Sequence, residues 1–428
     1  MDMQVVNNMP SCSMIHVAAP QANCYVCNMI NRGFRYKLAP TGEQEEQFRQ
    51  FAGVCRLVCN LALEQRRDWY RQYEANTDNR LNYVSQAREL TALRAEYDWI
   101  GAVSQTCQQQ ALRDLDRACS NFFKGIARYP LPRKKGINDT FRFQGREVEV
   151  RKLSSKWSAV RLPKIGWVKF RDTRPLRGVV KNATVVLTPP GWHISFSCEI
   201  EHTAPANNNP SVGIDRGIAN ALALSTGEMI VAPASYARLD RQRRKAQRVL
   251  ARRKRGSRNY ARQRKRIAAL AARSGHIRRD FLHRASTHIA RRFGVVVLED
   301  LKIVNMTTTA KGTMEEPGRN VRQKAGLNRS ILEQGWKMFA TLLDYKLTEH
   351  GGHLASVNPA CTSQTCSACG TIDRQSRESQ ASFVCQSCGF KSQADTNAAV
   401  NILRRWNTPL LPVEVLVGGP AKQEPTAA

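Results

Sequence analysis

Acidic residues are scarce in this chain, and long apolar runs are absent from it. Its 428 residues contain 35 Asp and Glu against 66 Lys and Arg, which gives a formal net charge of +31. A pI near 10.2 argues against an ordinary enzyme of small neutral substrates and indicates a polyanionic partner. No apolar run could span a bilayer, and the N-terminus lacks the pattern of a secretory signal, so we expect no membrane partner.

The cysteines do not have the even number that a disulfide framework requires, since there are thirteen of them, and this favours a reducing compartment. Four form two Cys-x-x-Cys pairs, Cys366/Cys369 and Cys385/Cys388, with fifteen residues between the pairs. A glycine follows each pair and lets the backbone fold over sulfur. This spacing predicts one tetrahedral, structural Zn²⁺ with no open ligand position.

The remaining cysteines give weaker signals. Cys361 lies close to the first pair, and we interpret it as a buried thiol. Cys24 and Cys27, with Cys12 and His16 upstream, allow a second zinc site. An unstructured extension with incidental thiols is the favoured alternative, because the first pair lacks the tight spacing of a zinc knuckle.

Three acids stand where elements of a metal-binding fold would end or begin. Asp215 follows the short apolar run 211–214, and Glu299 follows the continuous apolar run 295–298. Asp395 opens the last helical pattern. A strand, a strand and a helix that each deliver one carboxylate are how an RNase H-like fold builds a site for Mg²⁺. A single acid in such a place can equally be a solvated strand end or a helix N-cap.

Basic residues are concentrated in the segment 241–279, which has seventeen Lys and Arg and no acid. Its apolar residues keep a helical spacing, which favours a folded helical hairpin over a disordered basic tail. Exposed cations can neutralise backbone phosphates, although a solvated structural face is the alternative. The candidate contacts are Arg133, Lys134, Lys135, Arg252, Arg253, Lys254, Arg255, Arg262, Lys265 and Arg266.

Local patterns predict several elements. Gly33–Leu38 alternates as a strand does, with Thr41 as a possible N-cap of the helix that follows. Gly256 and Gly275 are predicted breaks between helices. The segment 305–329 is predicted to be a mobile loop near Glu299, and 331–349 an amphipathic helix.

These patterns predict a multidomain α/β protein. Short alternating runs after residue 126 indicate an antiparallel barrel or sandwich, into which a helical block is inserted. The predicted division is a flexible extension (1–32), a β-domain (33–44 and 126–205), a helical domain (45–125), an α/β nuclease-type domain (206–359 and 392–409), a zinc ribbon (360–391) and a flexible tail (410–428).

The ordered set of C-terminal motifs resembles the TnpB family, the transposon-encoded RNA-guided nucleases related to type V CRISPR effectors. The motifs are Gly-Ile-Asp-Arg-Gly (213–217), Leu-Glu-Asp-Leu (298–301), Thr-Ser-Gln-Thr-Cys-Ser-Ala-Cys-Gly (362–370), Phe-x-Cys-x-x-Cys-Gly (383–389) and Ala-Asp-x-Asn-Ala-Ala-x-Asn-Ile (394–402). The resemblance covers about residues 33–407.

The resemblance implies a wedge-type β-barrel with an inserted recognition bundle, then a RuvC nuclease domain interrupted by the zinc ribbon. It implies that Asp215, Glu299 and Asp395 are catalytic and hold two Mg²⁺ ions, with guide RNA and target DNA as partners. We expect Asp300 to point away, since neighbouring strand residues face opposite sides. The implied location is the prokaryotic cytoplasm, at the nucleoid during action.

Three alternatives remain at this point. A miniature type V CRISPR effector of the same mechanism would be distinguished by a neighbouring CRISPR array in place of transposon ends. A non-catalytic zinc-ribbon regulator is disfavoured by the complete set of acids. A strand-joining DDE-type transposase could use the same acids, but a zinc ribbon between Glu299 and Asp395 fits RuvC better.

Overall fold

A computed structural model describes residues 27–73, 81–379 and 381–407. The first half of this range holds seven strands and four helices. They are β1 (Cys27–Ala39), α1 (Gly42–Tyr73), α2 (Tyr83–Glu96), α3 (Asp98–Gly101), α4 (Gln105–Phe123), β2 (Thr140–Gln144), β3 (Glu149–Lys152), β4 (Trp157–Leu162), β5 (Gly166–Arg171), β6 (Val179–Thr188) and β7 (Gly191–Thr203).

The second half carries the remaining elements. They are β8 (Ser211–Asp215), β9 (Leu222–Leu224), β10 (Met229–Ile230), α5 (Ser235–Ala251), α6 (Arg258–Arg292), β11 (Val295–Glu299), α7 (Ile303–Met306), α8 (Val321–Gln334), α9 (Trp336–Glu349), β12 (His353–Val357), β13 (Ser382–Val384), β14 (Lys391–Gln393) and α10 (Ala394–Asn407). None of the described helices has the length and apolar character needed to cross a lipid bilayer.

Strands β1 to β7 form one antiparallel sheet in the order β2-β6-β7-β1-β5-β4-β3. The long strand β1 pairs with β7 from Cys27 to Lys37 and then with β5 at Leu38 and Ala39. Strands β2 and β3 stay at the two edges, and no pairing joins them in the described part of the chain. The predicted closed barrel is therefore not found, although its antiparallel strands are.

Strand β1 begins six residues before the predicted start at Gly33, so the first sheet takes in part of the predicted extension. The predicted N-cap is present, since Thr41 Oγ1 accepts from Gln44 N at 3.3 Å and Gln44 Oε1 accepts from Thr41 N at 3.1 Å. This reciprocal capping box begins α1. Residues 1–26 and 408–428 lie outside the described residues, and with them the suggested Cys12, His16 and Cys24 ligands and the whole of the predicted tail (410–428).

The helical block and the first sheet share one hydrophobic core. Phe48 of α1 packs against Trp192 of β7 with ring centroids 5.1 Å apart, and Phe51 packs against Phe141 of β2 at 5.3 Å. Buried residues of α4, such as Leu112, belong to the same cluster. The helices therefore cover one face of the sheet, which gives them a fixed position relative to it.

A second, five-stranded sheet has the order β10-β9-β8-β11-β12, with β8, β11 and β12 parallel and β9 and β10 antiparallel. Its central strand is β8, which ends in Asp215, and the apolar run that ends in Glu299 is β11, between β8 and β12. Val296 and Leu298 pack with α6 and α9, whereas Val297 packs with Ile402 of α10. The sheet thus lies between the α6/α9 pair on one face and α10 on the other.

Helices α5 and α6 form the predicted basic hairpin, which turns at Gly256 in the left-handed region (φ +84°). Helix α6 continues through Gly275 to Arg292, so the predicted break there is wrong. The predicted helix 331–349 is also wrong as one element, because Gly335 (φ +72°) separates α8 from α9. Helix α8 starts at Val321, inside the segment predicted as a loop.

Candidate active site and zinc centre

The register of the second sheet brings Asp215 and Glu299 to the same edge. Strands β8 and β11 are parallel, with Leu298 opposite Ile214, so the next residue of each strand is an acid. Because side chains alternate along a strand, Asp215 shares a face with Gly213, and Glu299 shares a face with Val297. That face is covered by α10, whose second residue is Asp395.

Asp215 interacts electrostatically with both of the other acids. Its pKa is raised to about 7, first because burial penalises the charged form and then because Glu299 and Asp395 repel it. A cluster of partly buried carboxylates that repel one another favours a cation. Asp300, the next residue of the chain after Glu299, is exposed and accepts from Lys302 Nζ at 2.6 Å, as expected for a side chain outside this site.

Gly213 explains how α10 reaches the sheet. A Cβ at this position would lie 2.2 Å from the carbonyl oxygen of Ala399 and 2.7 Å from the backbone nitrogen of Leu403. Only glycine leaves room for the α10 backbone here. The first glycine of the 213–217 motif thus sets the distance between Asp215 and Asp395.

The rest of that motif organises the loop after β8. Arg216 is 8% exposed, and it donates to the carbonyl oxygen of Glu299, while desolvation lowers its pKa. A Cβ at Gly217 would meet the carbonyl oxygen of Asn220 at 2.6 Å, so glycine permits the tight turn. Asn220 Nδ2 then donates to Asp395 Oδ2 at 3.1 Å. The loop therefore connects both neighbouring acids to β8.

Asp395 has further partners on the segment between β12 and α10. Arg377 donates to Asp395 Oδ1 at 3.4 Å, and Gln393 Nε2 donates to Oδ2 at 3.4 Å. The side chain of Asp395 is 13% exposed and that of Arg377 is 29% exposed. A guanidinium therefore reaches the acid cluster from the region that also contains the four paired cysteines.

Those four cysteines converge as the sequence predicts. The Sγ atoms of Cys366, Cys369, Cys385 and Cys388 all lie within 4.8 Å of one another. Cys366 Sγ and Cys388 Sγ are 3.8 Å apart, and Cys369 Sγ and Cys385 Sγ are 3.6 Å apart. Tetrahedral Zn²⁺ with Zn–S bonds of about 2.3 Å requires sulfur separations of about 3.8 Å. Four cysteine sulfurs at these distances fit zinc.

The two Cys-x-x-Cys loops have matching backbone geometry. Gly370 N donates to Cys366 O at 2.9 Å, and Gly389 N donates to Cys385 O at 2.9 Å. Both glycines adopt positive φ, +80° and +71° respectively. The left-handed residue after each pair turns the chain over the sulfurs, which is the reason for the glycines noted in the sequence.

Three polar side chains join the segment that carries the four cysteines (residues 360–391, the zinc-binding segment) to Glu299 and to the helix that carries Asp395. Thr362, 2% exposed, donates from Oγ1 to Glu299 Oε1. Asn397 Nδ2 donates to Thr365 O at 2.8 Å, and Asn397 Oδ1 accepts from Ser367 N at 2.8 Å. Asn401 Nδ2 donates to Thr362 O at 3.0 Å and to Thr365 O at 2.6 Å. The first cysteine loop is therefore held by α10.

The sequence patterns predicted Asp215, Glu299, Asp395 and the four cysteines as site residues. They predicted no role for five further residues: Thr362, Asn397, Asn401, Asn220 and Arg377. The motifs contained all but Asn220 and Arg377. The spacing of Asn397 and Asn401 puts them on one helix face beside buried alanines, which was the available signal. Their partners are backbone carbonyls and amides distant in sequence, which no local pattern identifies.

All of the predicted phosphate contacts except Arg133 have exposed side chains. Arg252, Arg253, Lys254 and Arg255 are exposed at the turn of the α5/α6 hairpin, and no ion pair to any of them occurs in the described residues. Arg262, Lys265 and Arg266 of α6 are likewise exposed, as are Lys134 and Lys135 of the basic loop.

Arg133 differs from the other predicted contacts. Its side chain is 19% exposed and lies 3.8 Å from a carboxylate oxygen of Asp114. Its backbone exchanges hydrogen bonds with Asn60 of α1, at 2.7 and 3.0 Å. These contacts fix the basic loop to the helical block.

A second basic surface, missed in the sequence, lies in a cleft of about 720 Å³ between the first sheet and helices α6 and α9. Arg35, Arg174, Arg177 and Arg279 line it without an acidic partner among the described residues. Burial lowers the pKa of Arg35, and repulsion from Arg279 lowers it further. Such a group of cations, drawn from separate elements, favours an anion.

Three family models match separate parts of the chain. A model described as "Probable transposase" (OrfB_IS605) matches residues 195–310, and "Cas12f1-like, TNB domain" matches residues 336–402. "Helix-turn-helix domain" (HTH_OrfB_IS605) matches residues 29–75. A solved structure described as "Cryo-EM structure of the Cas12f1-sgRNA-target DNA complex" aligns with a TM-score of 0.49 and 15% identity over 85% of this chain and 83% of its own.

Two curated relatives match nearly end to end. "Putative RNA-guided DNA endonuclease InsQ" of Escherichia coli (strain K12) is 39% identical over 400 residues, 92% of this chain and 97% of its own. A "Putative RNA-guided DNA endonuclease" of Streptomyces pristinaespiralis is 32% identical over 87% of this chain and 89% of its own. On this evidence the chain belongs to the OrfB/IS605-type family, the TnpB family that its motifs predict.

Proposed function

We propose that the protein is an RNA-guided endonuclease that cleaves DNA at the edge formed by Asp215, Glu299 and Asp395. The observation that carries the proposal is the placement of these acids at one sheet edge by the β8/β11 register and by α10, where burial, and then repulsion from Glu299 and Asp395, raises the pKa of Asp215 to about 7. Family membership supports the RNA guide and the DNA target, since the near-full-length relatives bear that name. The basic surfaces supply the complementary charge for both nucleic acids.

Divalent cations fit this edge. The donor set is three carboxylates, which are the oxygen ligands that Mg²⁺ prefers, and their mutual repulsion is relieved by a cation. We propose that Asp215, Glu299 and Asp395 hold two Mg²⁺ ions. When bound, these ions would supply Lewis-acid activation of the scissile phosphate and of the attacking water.

The chain's own residues prepare the edge for that chemistry. Arg216 places a buried positive charge beneath the carboxylates, and Arg377 brings a second one to Asp395. These two cations offset part of the negative charge at the edge. Asn220 holds one oxygen of Asp395 by donating to it, so the orientation of that carboxylate is set before substrate arrives.

We further propose that the second sheet with α6, α9 and α10 is an RNase H-like domain of RuvC type, into which 360–391 is inserted as a zinc ribbon. The parallel strands β8, β11 and β12 with helices on both faces support this assignment. We propose that the first sheet is the wedge domain and that α1 to α4 form a recognition bundle built onto it.

Guide RNA and target DNA need separate phosphate-binding surfaces. The catalytic edge lies at the carboxyl ends of β8 and β11, whereas the basic cleft lies near the C-terminus of α9, which precedes the start of β12. A strand of five residues spans about 16 Å, so the cleft is remote from the scissile phosphate. We assign the cleft to the guide RNA and the α5/α6 hairpin to the guide–target heteroduplex.

Substitution of the first acid tests the proposal. Asp215→Ala removes a cation ligand from a strand whose apolar residues still pack, so guide RNA binding should persist while cleavage of a matched target falls to background. Cleavage assays in Mg²⁺ with the copurified RNA, which is also sequenced, provide the measurement. Full cleavage by this variant would contradict the assignment of the site.

A further inference from the structure

Thr362 is a residue of the zinc-binding segment whose side chain contacts the carboxylate of Glu299. Its hydroxyl has one proton and two acceptors, Glu299 Oε1 and, at 3.1 Å, the carbonyl oxygen of Pro359. The carboxylate is the nearer of the two. At 2% exposure the side chain is shielded from water, so no solvent molecule can replace the hydroxyl without rearrangement.

The backbone of Thr362 is also fixed. Asn401 of α10 donates to Thr362 O at 3.0 Å and to Thr365 O at 2.6 Å, and Asn401 itself is 3% exposed. Thr365 directly precedes the cysteine ligand Cys366. The position of Thr362 is therefore set from both sides, by the helix that carries Asp395 and by the loop that carries a zinc ligand.

We propose that Thr362 is a positioning residue for the divalent-cation site: its hydroxyl holds one oxygen of Glu299 and leaves the other free to bind a cation. The inference rests on the proposed function. Residues that orient a metal-binding carboxylate contribute strongly to affinity, and their loss commonly costs 10- to 100-fold. The zinc-binding segment then contributes to the acid site through a defined hydrogen bond.

The test compares Thr362→Val with Thr362→Ser, measuring Mn²⁺ binding to the zinc-loaded protein by electron paramagnetic resonance. Site-specific binding is defined as the fraction of the total Mn²⁺ binding that Asp215→Ala abolishes. Valine keeps the shape of threonine without the hydroxyl, so Mn²⁺ affinity should fall at least 10-fold, whereas serine should restore it. The Mg²⁺ concentration for half-maximal cleavage should rise in parallel, with the maximal rate largely recovered at high Mg²⁺.

Thr365→Val is the matched control, because that threonine lies in the same loop and its hydroxyl donates to Cys361 O at 2.7 Å, with no acid as a partner among the described residues. Its Mn²⁺ affinity should equal that of the unmodified protein. Unchanged affinity in a folded, zinc-loaded Thr362→Val protein would overturn the inference. Absence of any Asp215-dependent Mn²⁺ binding in the unmodified protein would instead overturn the proposed function.

Discussion

At the scale of single residues, the environment of Asp215 destabilises its charged form, although the proposed catalysis needs that form. Its carboxylate is partly buried at a strand end, beside two other acids, an arrangement that the proposed cation-dependent cleavage requires. A difference of one pKa unit between the folded and unfolded states corresponds to about 1.4 kcal/mol, so ionising Asp215 costs the metal-free fold a few kcal/mol at most. The site is therefore stable in its ionised form mainly when a cation is present.

This conflict predicts a pH-dependent stability difference. Because the folded pKa of Asp215, about 7, lies above the usual 3.8, the folded state retains a proton that the unfolded state loses between pH 4 and 7. Stability of the metal-free protein should fall as pH rises through that window, and Asp215→Asn should abolish this part of the fall. Thermal melts without Mg²⁺ should show the variant a few °C more stable at pH 8 and about equal at pH 4.

Added Mg²⁺ should reverse the order of the two melting temperatures at pH 8, so that the unmodified protein melts above Asp215→Asn. The reason is that Mg²⁺ stabilises only the protein that retains the carboxylate. Chelators are avoided in this experiment because they would also remove zinc. An equal difference in melting temperature at pH 4 and pH 8 would show that the carboxylate charge is not the cause.

At the scale of elements, the packing of α10 on β8 decides whether the acids meet. Gly213→Ala places a methyl group 2.2 Å from the Ala399 carbonyl oxygen, so the helix must shift. Overpacking of this kind costs typically about 1–3 kcal/mol, and the shift moves Asp395 away from Asp215. We expect lower thermal stability together with a loss of cleavage.

Gly275→Ala provides the control for that substitution. Gly275 lies inside α6, and a Cβ there would have no neighbour within 4 Å. Alanine in a helix interior is favoured over glycine by about 1 kcal/mol, so this variant should be slightly more stable and fully active. Normal cleavage by a folded Gly213→Ala protein would show that helix placement does not limit the site.

The zinc-binding segment is the second element with a clear energetic role. Cys366→Ser removes one of four sulfurs around the predicted zinc, and metal-coupled folding energy for whole sites is of order 10 kcal/mol. We expect the segment 361–390 to become sensitive to proteolysis and zinc content to fall from about one per chain. Cys361→Ser should leave both properties unchanged, because Cys361 lies outside the cluster of four; it is exposed, so its prediction as a buried thiol is wrong. Two zinc ions in the unmodified protein would point to a second site.

Sequence patterns predicted the elements whose signal is local. Strand β11 is a run of four apolar residues between helical patterns, so both its existence and the acid at its end follow from the sequence. The predicted break at Gly275 was wrong because one glycine costs a helix only about 1 kcal/mol, which the apolar contacts of α6 further along outweigh.

Other features depend on contacts that the sequence does not contain. Gly335 adopts a left-handed conformation where α8 turns into α9, and nothing in the amphipathic pattern distinguishes it from a helical glycine. Thr362 became part of the site only because β11 and α10 meet beside it. The open edges of the first sheet likewise depend on which strands pair with each other. The alternation of polar and apolar residues does not specify that pairing.

At the scale of the whole molecule, the net charge of +31 favours the binding of polyanions. The α5/α6 hairpin contributes an exposed tip of four consecutive cations, whereas the cleft contributes arginines from β1, α6 and the segment between β5 and β6. Contacts to phosphates do not read base sequence. In the proposed function the two surfaces therefore add affinity, and base pairing with the guide adds specificity.

The hairpin tip gives the last prediction. Substitution of Arg252, Arg253, Lys254 and Arg255 by Ala should weaken binding of matched and scrambled targets about equally. Each cation that no longer neutralises a phosphate should lower the steepness of log K against log salt by roughly 0.7–0.9, so the four substitutions should flatten it by about 3. Filter-binding titrations at several salt concentrations measure both quantities.

Arg284→Ala is the control on the same helix pair, because that exposed arginine already pairs with Asp280, and its removal should leave the slope unchanged. Arg35→Ala with Arg279→Ala should flatten the slope for guide RNA alone by about 1.4, since two cations that face a single strand are removed. A selective loss for one target sequence would make the hairpin a reader of bases. An unchanged slope in the four-residue variant would remove the hairpin from the binding surface and leave the cleft as the main site of charge compensation.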